Sequence, residues 1–151
     1  YEVSNFFVIP KHFFVPEIIE RRKPLSESAR RARWIGFNIV LQDIPQAGKI
    51  FYVKDKQIQP RGAVLRTWKK TLFLRDEKEI SAKGWILDVM KCVDSLAKEK
   101  FTLDEVYAFE KTLQSKHPGN KHIKDKIRQQ LQVLRDKGYL EFMGKGKYRV
   151  I

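Results

Sequence analysis

Residues 122–150 read HIKDKIRQQLQVLRDKGYLEFMGKGKYRV. Ile123, Ile127, Leu131 and Leu134 recur at helical spacing, so they share one face of a helix. Gly138 ends the pattern, because a glycine just past the last apolar residue lets the chain leave the helix through a left-handed turn. Two short alternating segments follow, residues 139–142 and 148–150, and Gly144-Lys145-Gly146 joins them as a hairpin turn. The residues upstream complete the pattern. Trp85, Ile86, Val89, Val93 and Leu96 form one face of an earlier helix. Thr102-Leu103-Asp104-Glu105 has the form of a capping box, in which a threonine caps the helix and a glutamate three positions on reaches back to the cap N–H. The helix it opens carries Val106, Phe109 and Leu113. His117-Pro118-Gly119-Asn120 is a turn, and Asn120 can cap the third helix. Three helices followed by a β-hairpin make a winged helix-turn-helix.

The charge follows the same division. The chain has 151 residues and a formal charge of +13, from 31 Lys+Arg against 18 Asp+Glu. Such a balance calls for a polyanionic partner, most simply nucleic acid. Residues 81–115 hold five basic and six acidic side chains, net −1, whereas residues 116–151 hold ten and three, net +7. In this module the positive charge therefore sits on the third helix, its lead-in turn and the hairpin, the parts of a winged helix that face DNA. Opposite the apolar stripe lie Lys121, His122, Asp125, Arg128, Gln129 and Gln132, within reach of base edges. Lys124 and Lys126 flank the stripe, and Lys145 and Lys147 lie on the hairpin; these four suit phosphate, which sets position without reading sequence.

Residues 1–80 read differently. Residues 6–14 are aromatic and β-branched, a strand interrupted at Pro10. Because the chain opens on Tyr1 and residues 5–10 already resemble a core strand, further residues are expected upstream. Residues 17–33 are polar and basic, with Pro24 and Ser26 marking loop; residues 34–41 read as a second, buried strand and 49–53 as a third. Residues 64–74 fit a helix, and the charged run 75–80 a linker. Trp68 and Trp85 are assigned to the core, as is Cys92, a small apolar residue on the first helix of the second module. The single cysteine excludes a disulfide framework or a cysteine zinc site, and His12, His117 and His122 lack metal-ligand spacing. No apolar run is long enough to span a bilayer, and no signal peptide is evident. The stretch Ala29-Arg30-Arg31-Ala32-Arg33-Trp34 remains unexplained by burial, since three cations and an indole precede the apolar run.

Several of these segments resemble a known family. They are His122-Ile123-Lys124, residues 126–137, Gly144 to Arg149, Arg22-Lys23-Pro24-Leu25, Ala29-Arg30-Arg31-Ala32, Trp34-Ile35-Gly36 with Asn38-Ile39, Leu72-Phe73-Leu74-Arg75, Gly84-Trp85 and Phe101-Thr102-Leu103. Together they resemble the C-terminal part of the DpnI-type, Dam-replacing family of methyl-directed restriction endonucleases. The resemblance implies an α+β chain: the C-terminal half of a PD-(D/E)xK nuclease-like core over residues 1–78, then a winged helix over 79–151. It implies cleavage by the whole enzyme of duplex DNA at GATC carrying N6-methyladenine, with Trp34 touching the adenine methyl groups and Arg30, Arg31 and Arg33 holding phosphates or bases beside it. Asn120, Lys121, His122, Lys124, Asp125, Lys126, Arg128, Gln129, Lys145 and Lys147 complete the expected DNA contacts. The sequence departs from the family pattern at Arg33, where a glycine is expected.

The family's catalytic residues match nothing here. The only acidic-x-Lys triplet is Asp76-Glu77-Lys78, in the charged linker with no apolar strand around it. Mg²⁺ is implied for the full-length enzyme and no cofactor for this chain, which is expected to bind DNA without cutting it. The single cysteine suits a reducing, bacterial cytoplasm, and a monomer is expected. The alternative is a non-enzymatic winged-helix transcription regulator. A generic RNA-binding protein fits less well, because no RRM or KH signature is present.

Overall fold

In the computed structural model, which describes residues 2–151, the helix α6 spans Ile123–Asp136. It buries Ile123, Ile127, Leu131 and Leu134 to 2% exposure or less. Removing each such side chain from water stabilises the fold by about 1.5–3 kcal/mol. The helix ends through Gly138 at φ +72°, where glycine carries no Cβ penalty. Strands β7 (Leu140–Gly144) and β8 (Lys147–Val150) form the expected hairpin, pairing Phe142 with Tyr148 and Gly144 with Lys147. A third strand, β6 (Lys100–Thr102), pairs with β8, so the sheet runs β6-β8-β7.

The helices in front of α6 are α3 (Ile80–Ser95), α4 (Leu103–Tyr107) and α5 (Glu110–Lys116). The expected helix after Thr102 is thus two short ones, broken at Ala108 and Phe109. The capping box is present: the Glu105 N–H donates to Thr102 Oγ1, and the Thr102 N–H donates to Glu105 Oε2 at 2.8 Å. Lys98 and the Thr102 N–H together hold the Glu105 carboxyl below the usual carboxylate range. Residues 75–80 are only in part a linker. Arg75 and Asp76 end α2 (Phe73–Asp76), and Glu79 caps α3 by accepting the N–H groups of Ser81 and Ala82.

The N-terminal part holds two small sheets. Strands β1 (Phe6–Val8), β4 (Ile50–Lys54) and β5 (Gln57–Ile58) lie in the order β1-β4-β5. Strands β2 (Ile19–Arg21) and β3 (Phe37–Ile39) form a hairpin with Ile19 opposite Ile39 and Arg21 opposite Phe37. Helix α1 covers Arg61–Lys70, earlier than the expected 64–74. Three expectations are corrected here. The strand over 6–14 stops at Val8 and gives way to a short 3₁₀ turn at Lys11–Phe13, because Pro10 supplies no N–H to a ladder. It is also not a core strand, since Phe6 and Val8 are exposed. The strand over 34–41 shrinks to Phe37–Ile39, with every residue exposed, so that run is not buried. Trp68 is half-buried rather than core; it lines an apolar cavity of about 340 Å³ with Val8, Ile9, Pro10, Ile50, Tyr52, Val64 and Leu65.

The two parts share one continuous core. Phe13, Val15, Ile18, Ile44 and Leu74 pack into the same cluster as Trp85, Val89 and Val93 of α3. Polar ties reinforce the seam. Lys91 Nζ meets Asp43 Oδ1 at 2.5 Å, and the Gln46 N–H donates to Asp94 Oδ2 at 2.8 Å. His12 and Thr71 are both buried and share a hydrogen bond, Nε2 to Oγ1, of 3.3 Å.

Candidate nucleic-acid interface

The sequence-derived site residues fall into two groups in the structure. The first occupies the turn before α6, the outer face of α6 and the tip of the β7–β8 hairpin. Lys121 and His122 in the turn, and Lys124, Asp125, Arg128, Gln129 and Gln132 on α6, are all exposed, with Asp125, Gln129 and Gln132 on the side of α6 away from its apolar stripe. Asn120 is half-buried and organises the turn: its Oδ1 accepts the His122 N–H at 2.7 Å, and its carbonyl accepts Gln114 Nε2 at 2.9 Å. The residue at the helix N-cap is His122, without a side-chain cap.

The cations differ in how free they are. Lys124 Nζ lies 3.5 Å from Glu110 Oε2 and 5.5 Å from the centroid of the Tyr107 ring. Lys126 is half-buried, with Nζ 6.0 Å from the Trp85 ring. Arg149 pairs with Glu141 at 2.5 Å. By contrast, neither Lys145 nor Lys147 has an acidic partner within 4 Å among the described residues. Lys145 sits at φ +49° between Gly144 at +88° and Gly146 at +70°. A left-handed conformation costs an L-residue about 1–2 kcal/mol. A lysine held there, at the exposed tip, is a cation kept at some cost to stability.

The turn before α6 is anchored from below. Asp88 of α3 accepts Lys116 Nζ at 2.7 Å and bonds His117 Nε2 at 2.8 Å. The His117 ring stacks on Trp85, with centroids 3.8 Å apart and planes 16° from parallel. Burial would lower the Lys116 pKa, but the Asp88 carboxylate outweighs it and the net shift is upward. Sequence reasoning passed over this cluster, since Asp88, Lys116 and His117 carry no motif.

The second group lies in the loop of residues 22–36, between β2 and β3. Cross-loop backbone bonds hold it: Arg22 N–H to Gly36 O at 2.9 Å, Leu25 N–H to Trp34 O at 2.9 Å, and Arg33 N–H to Leu25 O at 3.1 Å. Arg30 and Arg31 are exposed, and Trp34 is 50% exposed. The exposed half of the indole leaves an apolar face open for contact. Arg33 adopts φ +64°, the conformation that glycine tolerates best, and its Nε meets Glu27 Oε1 at 2.9 Å. Sequence reasoning did not single out Arg22, whose side-chain stem lies beside Gly36. The signal was the basic run 21–23 that leads into the loop.

The two groups are rooted near each other. One cleft is lined by Glu17 and Ile18, just before β2, and by Gly84, Asp88 and Lys116 below the α5–α6 turn.

A family model described as the Dam-replacing family matches residues 1–77, and one described as the Dam-replacing HTH domain matches residues 81–150. The chain belongs to the Dam-replacing family. Its helix-turn-helix is a DNA-binding domain, and DNA is the partner of this Dam-replacing protein. No helix among the described residues is long and apolar enough to cross a membrane.

The candidate carboxylates for a divalent metal are Asp76 and Glu77. Asp76 is 75% exposed and paired with Arg75, while Glu77 Oε1 accepts the Glu79 N–H. Among the described residues no three His, Cys, Asp or Glu side chains converge as metal ligands. The described residues of this Dam-replacing chain therefore do not fit a catalytic Mg²⁺ site. Cys92 is buried, and burial pushes its thiol up to about 12, the behaviour of a core residue rather than a nucleophile.

Proposed function

We propose that this chain supplies DNA binding and methyl-adenine readout to a type II methyl-directed restriction endonuclease that acts on duplex GATC carrying N6-methyladenine. In this reading residues 1–78 are the C-terminal portion of a PD-(D/E)xK nuclease-like domain and residues 79–151 a winged-helix domain. Catalytic carboxylates and their Mg²⁺ belong to other residues of the full-length enzyme. The chain alone binds without cutting, as a monomer in the bacterial cytoplasm.

The observation that carries the reading is Trp34: a half-exposed indole at the head of a loop bearing Arg30, Arg31 and Arg33. The N6 group of adenine faces the major groove, and methylation adds an apolar group there. An indole face excludes water from that methyl group. Removing one methyl from water contributes about 0.8 kcal/mol, roughly a fourfold preference, and two methyls about fifteenfold. The arginines hold the neighbouring phosphates, while Lys145 and Lys147 grip backbone from the wing. On the outer face of α6, Arg128 and Gln129 have the chemistry to read base edges, with Lys121 in the turn before the helix.

The test is binding at fixed salt to GATC duplexes that are unmethylated, hemimethylated and fully methylated, with Trp34→Ala in parallel. The reading expects affinity to rise with each methyl group and Trp34→Ala to flatten the series. Equal affinity for all three duplexes would refute it in favour of a winged-helix protein without methyl readout.

A further inference from the structure

Gly36 is buried directly beside the indole of Trp34. A Cβ built on Gly36 would lie 2.9 Å from both Cζ3 and Cη2 of Trp34 and 3.5 Å from Cδ of Arg22. Carbon atoms in good contact stand about 3.5–4.0 Å apart, so the two ring contacts leave no room for a methyl group. The backbone does not ask for glycine here: the glycines at positive φ are Gly138, Gly144 and Gly146, and Gly36 is not among them. What excludes a side chain at position 36 is the indole alone.

The local geometry explains the arrangement. Residues two apart on an extended chain project to the same face, so Trp34 and the missing side chain of Gly36 share one side of the hairpin. The backbone at both positions is pinned across the loop, Trp34 O to the Leu25 N–H and Gly36 O to the Arg22 N–H. An added Cβ cannot be absorbed by sliding the strand; the indole must rotate off its seat. One side of the six-membered ring thus rests on bare backbone beside the Arg22 stem, and half of the side chain stays open to solvent.

We infer that Gly36 is the positioning residue for Trp34, its bare Cα forming the seat that fixes how the indole presents itself to the methylated base. The inference rests on the methyl-reading role proposed for Trp34. It adds a second position that sets methyl discrimination without itself touching DNA.

The test combines a DNA-free readout with a binding readout. Three indole N–H resonances are expected from Trp34, Trp68 and Trp85, and Trp34→Phe identifies the first by deleting it. In Gly36→Ala that resonance moves while those of Trp68 and Trp85 stay, which also shows that the core is intact. In the binding assay Gly36→Ala loses most of the roughly fourfold preference per methyl. Affinity for the unmethylated duplex is unchanged, because the phosphate contacts remain. Phenylalanine lacks the far ring atoms that meet the Cβ, so adding Gly36→Ala to Trp34→Phe changes the methyl preference no further. An unmoved Trp34 resonance in Gly36→Ala overturns the inference whatever Trp34 does on DNA. A moved resonance with full methyl preference also overturns it; if Trp34→Ala keeps that preference too, the methyl-reading role of Trp34 falls with it. An equal loss in the single and double backgrounds overturns it as well, because the effect then does not pass through the indole.

Discussion

The hairpin lysines give the sharpest electrostatic prediction. Lys145 and Lys147 are exposed and have no acidic partner within 4 Å among the described residues, whereas Lys124 leans on Glu110 and Arg149 is paired with Glu141. A cation that already has a partner exchanges one ion contact for another when it meets phosphate. A free one releases a counterion from DNA. Each phosphate neutralised contributes about −0.9 to the slope of log affinity against log salt. Replacing both lysines with alanine should therefore make the slope shallower by about 1.8, and over a fourfold rise in salt the double variant should lose about tenfold less affinity than the parent. Lys124→Ala should change the slope by less than either hairpin lysine. The assay is anisotropy of a labelled duplex across a salt series, run on each variant. An unchanged slope in the double variant, or a larger change for Lys124→Ala, would refute the assignment of the wing to backbone contact.

Three further outcomes follow from the packing. Thr102→Ala removes one half of the capping box and should cost about 0.5–2 kcal/mol in denaturant unfolding, with the DNA contacts untouched. Arg33→Gly relieves the φ of +64°; about 1–2 kcal/mol of left-handed strain is set against about 0.5–1 kcal/mol of glycine chain entropy, so the melting temperature should rise slightly. Cys92 should resist alkylation in the folded protein at pH 8 and react on unfolding, because its thiol is held near 12. The same shift acts on stability. A thiol whose folded value lies above its unfolded 9.0 leaves stability intact below pH 9 and lowers it from there towards pH 12, as the unfolded chain ionises first. A denaturation midpoint that rises over that window would contradict the burial.

The C-terminal part was legible in the sequence because its signals are local and mutually consistent. The Ile123–Leu134 stripe, the Thr102/Glu105 box and the glycines at 138, 144 and 146 each specify backbone geometry within a few residues. Strand β6 was not legible, since three residues carry no period and its place depends on pairing with β8. The turn between β4 and β5 was hidden for another reason. Asp55 and Lys56 both take positive φ, +49° and +67°, as a two-residue hairpin requires, but without the Asn-Gly or Asp-Gly pair that advertises it. In the N-terminal part an apolar run says what wants to be buried and nothing about what covers it. Hence Phe37, Ile39 and Trp68 were expected inside, and the structure leaves them wholly or half open. Trp34 was the reverse case. Three arginines before an indole suggested a site, and the structure adds what the sequence could not show: the seat at Gly36, the strained φ at Arg33, and the Asp88–His117–Trp85 anchor under α6.

The central claim is that this chain reads the methyl group through an apolar contact separate from its phosphate grip. The direct measurement is affinity for fully methylated and unmethylated GATC duplexes of otherwise identical sequence, each across the same salt series. The account predicts two parallel lines of log affinity against log salt, with the fully methylated duplex offset towards tighter binding by roughly fifteenfold. Coincident lines would contradict it, and would leave a backbone binder whose half-exposed tryptophan serves some other contact.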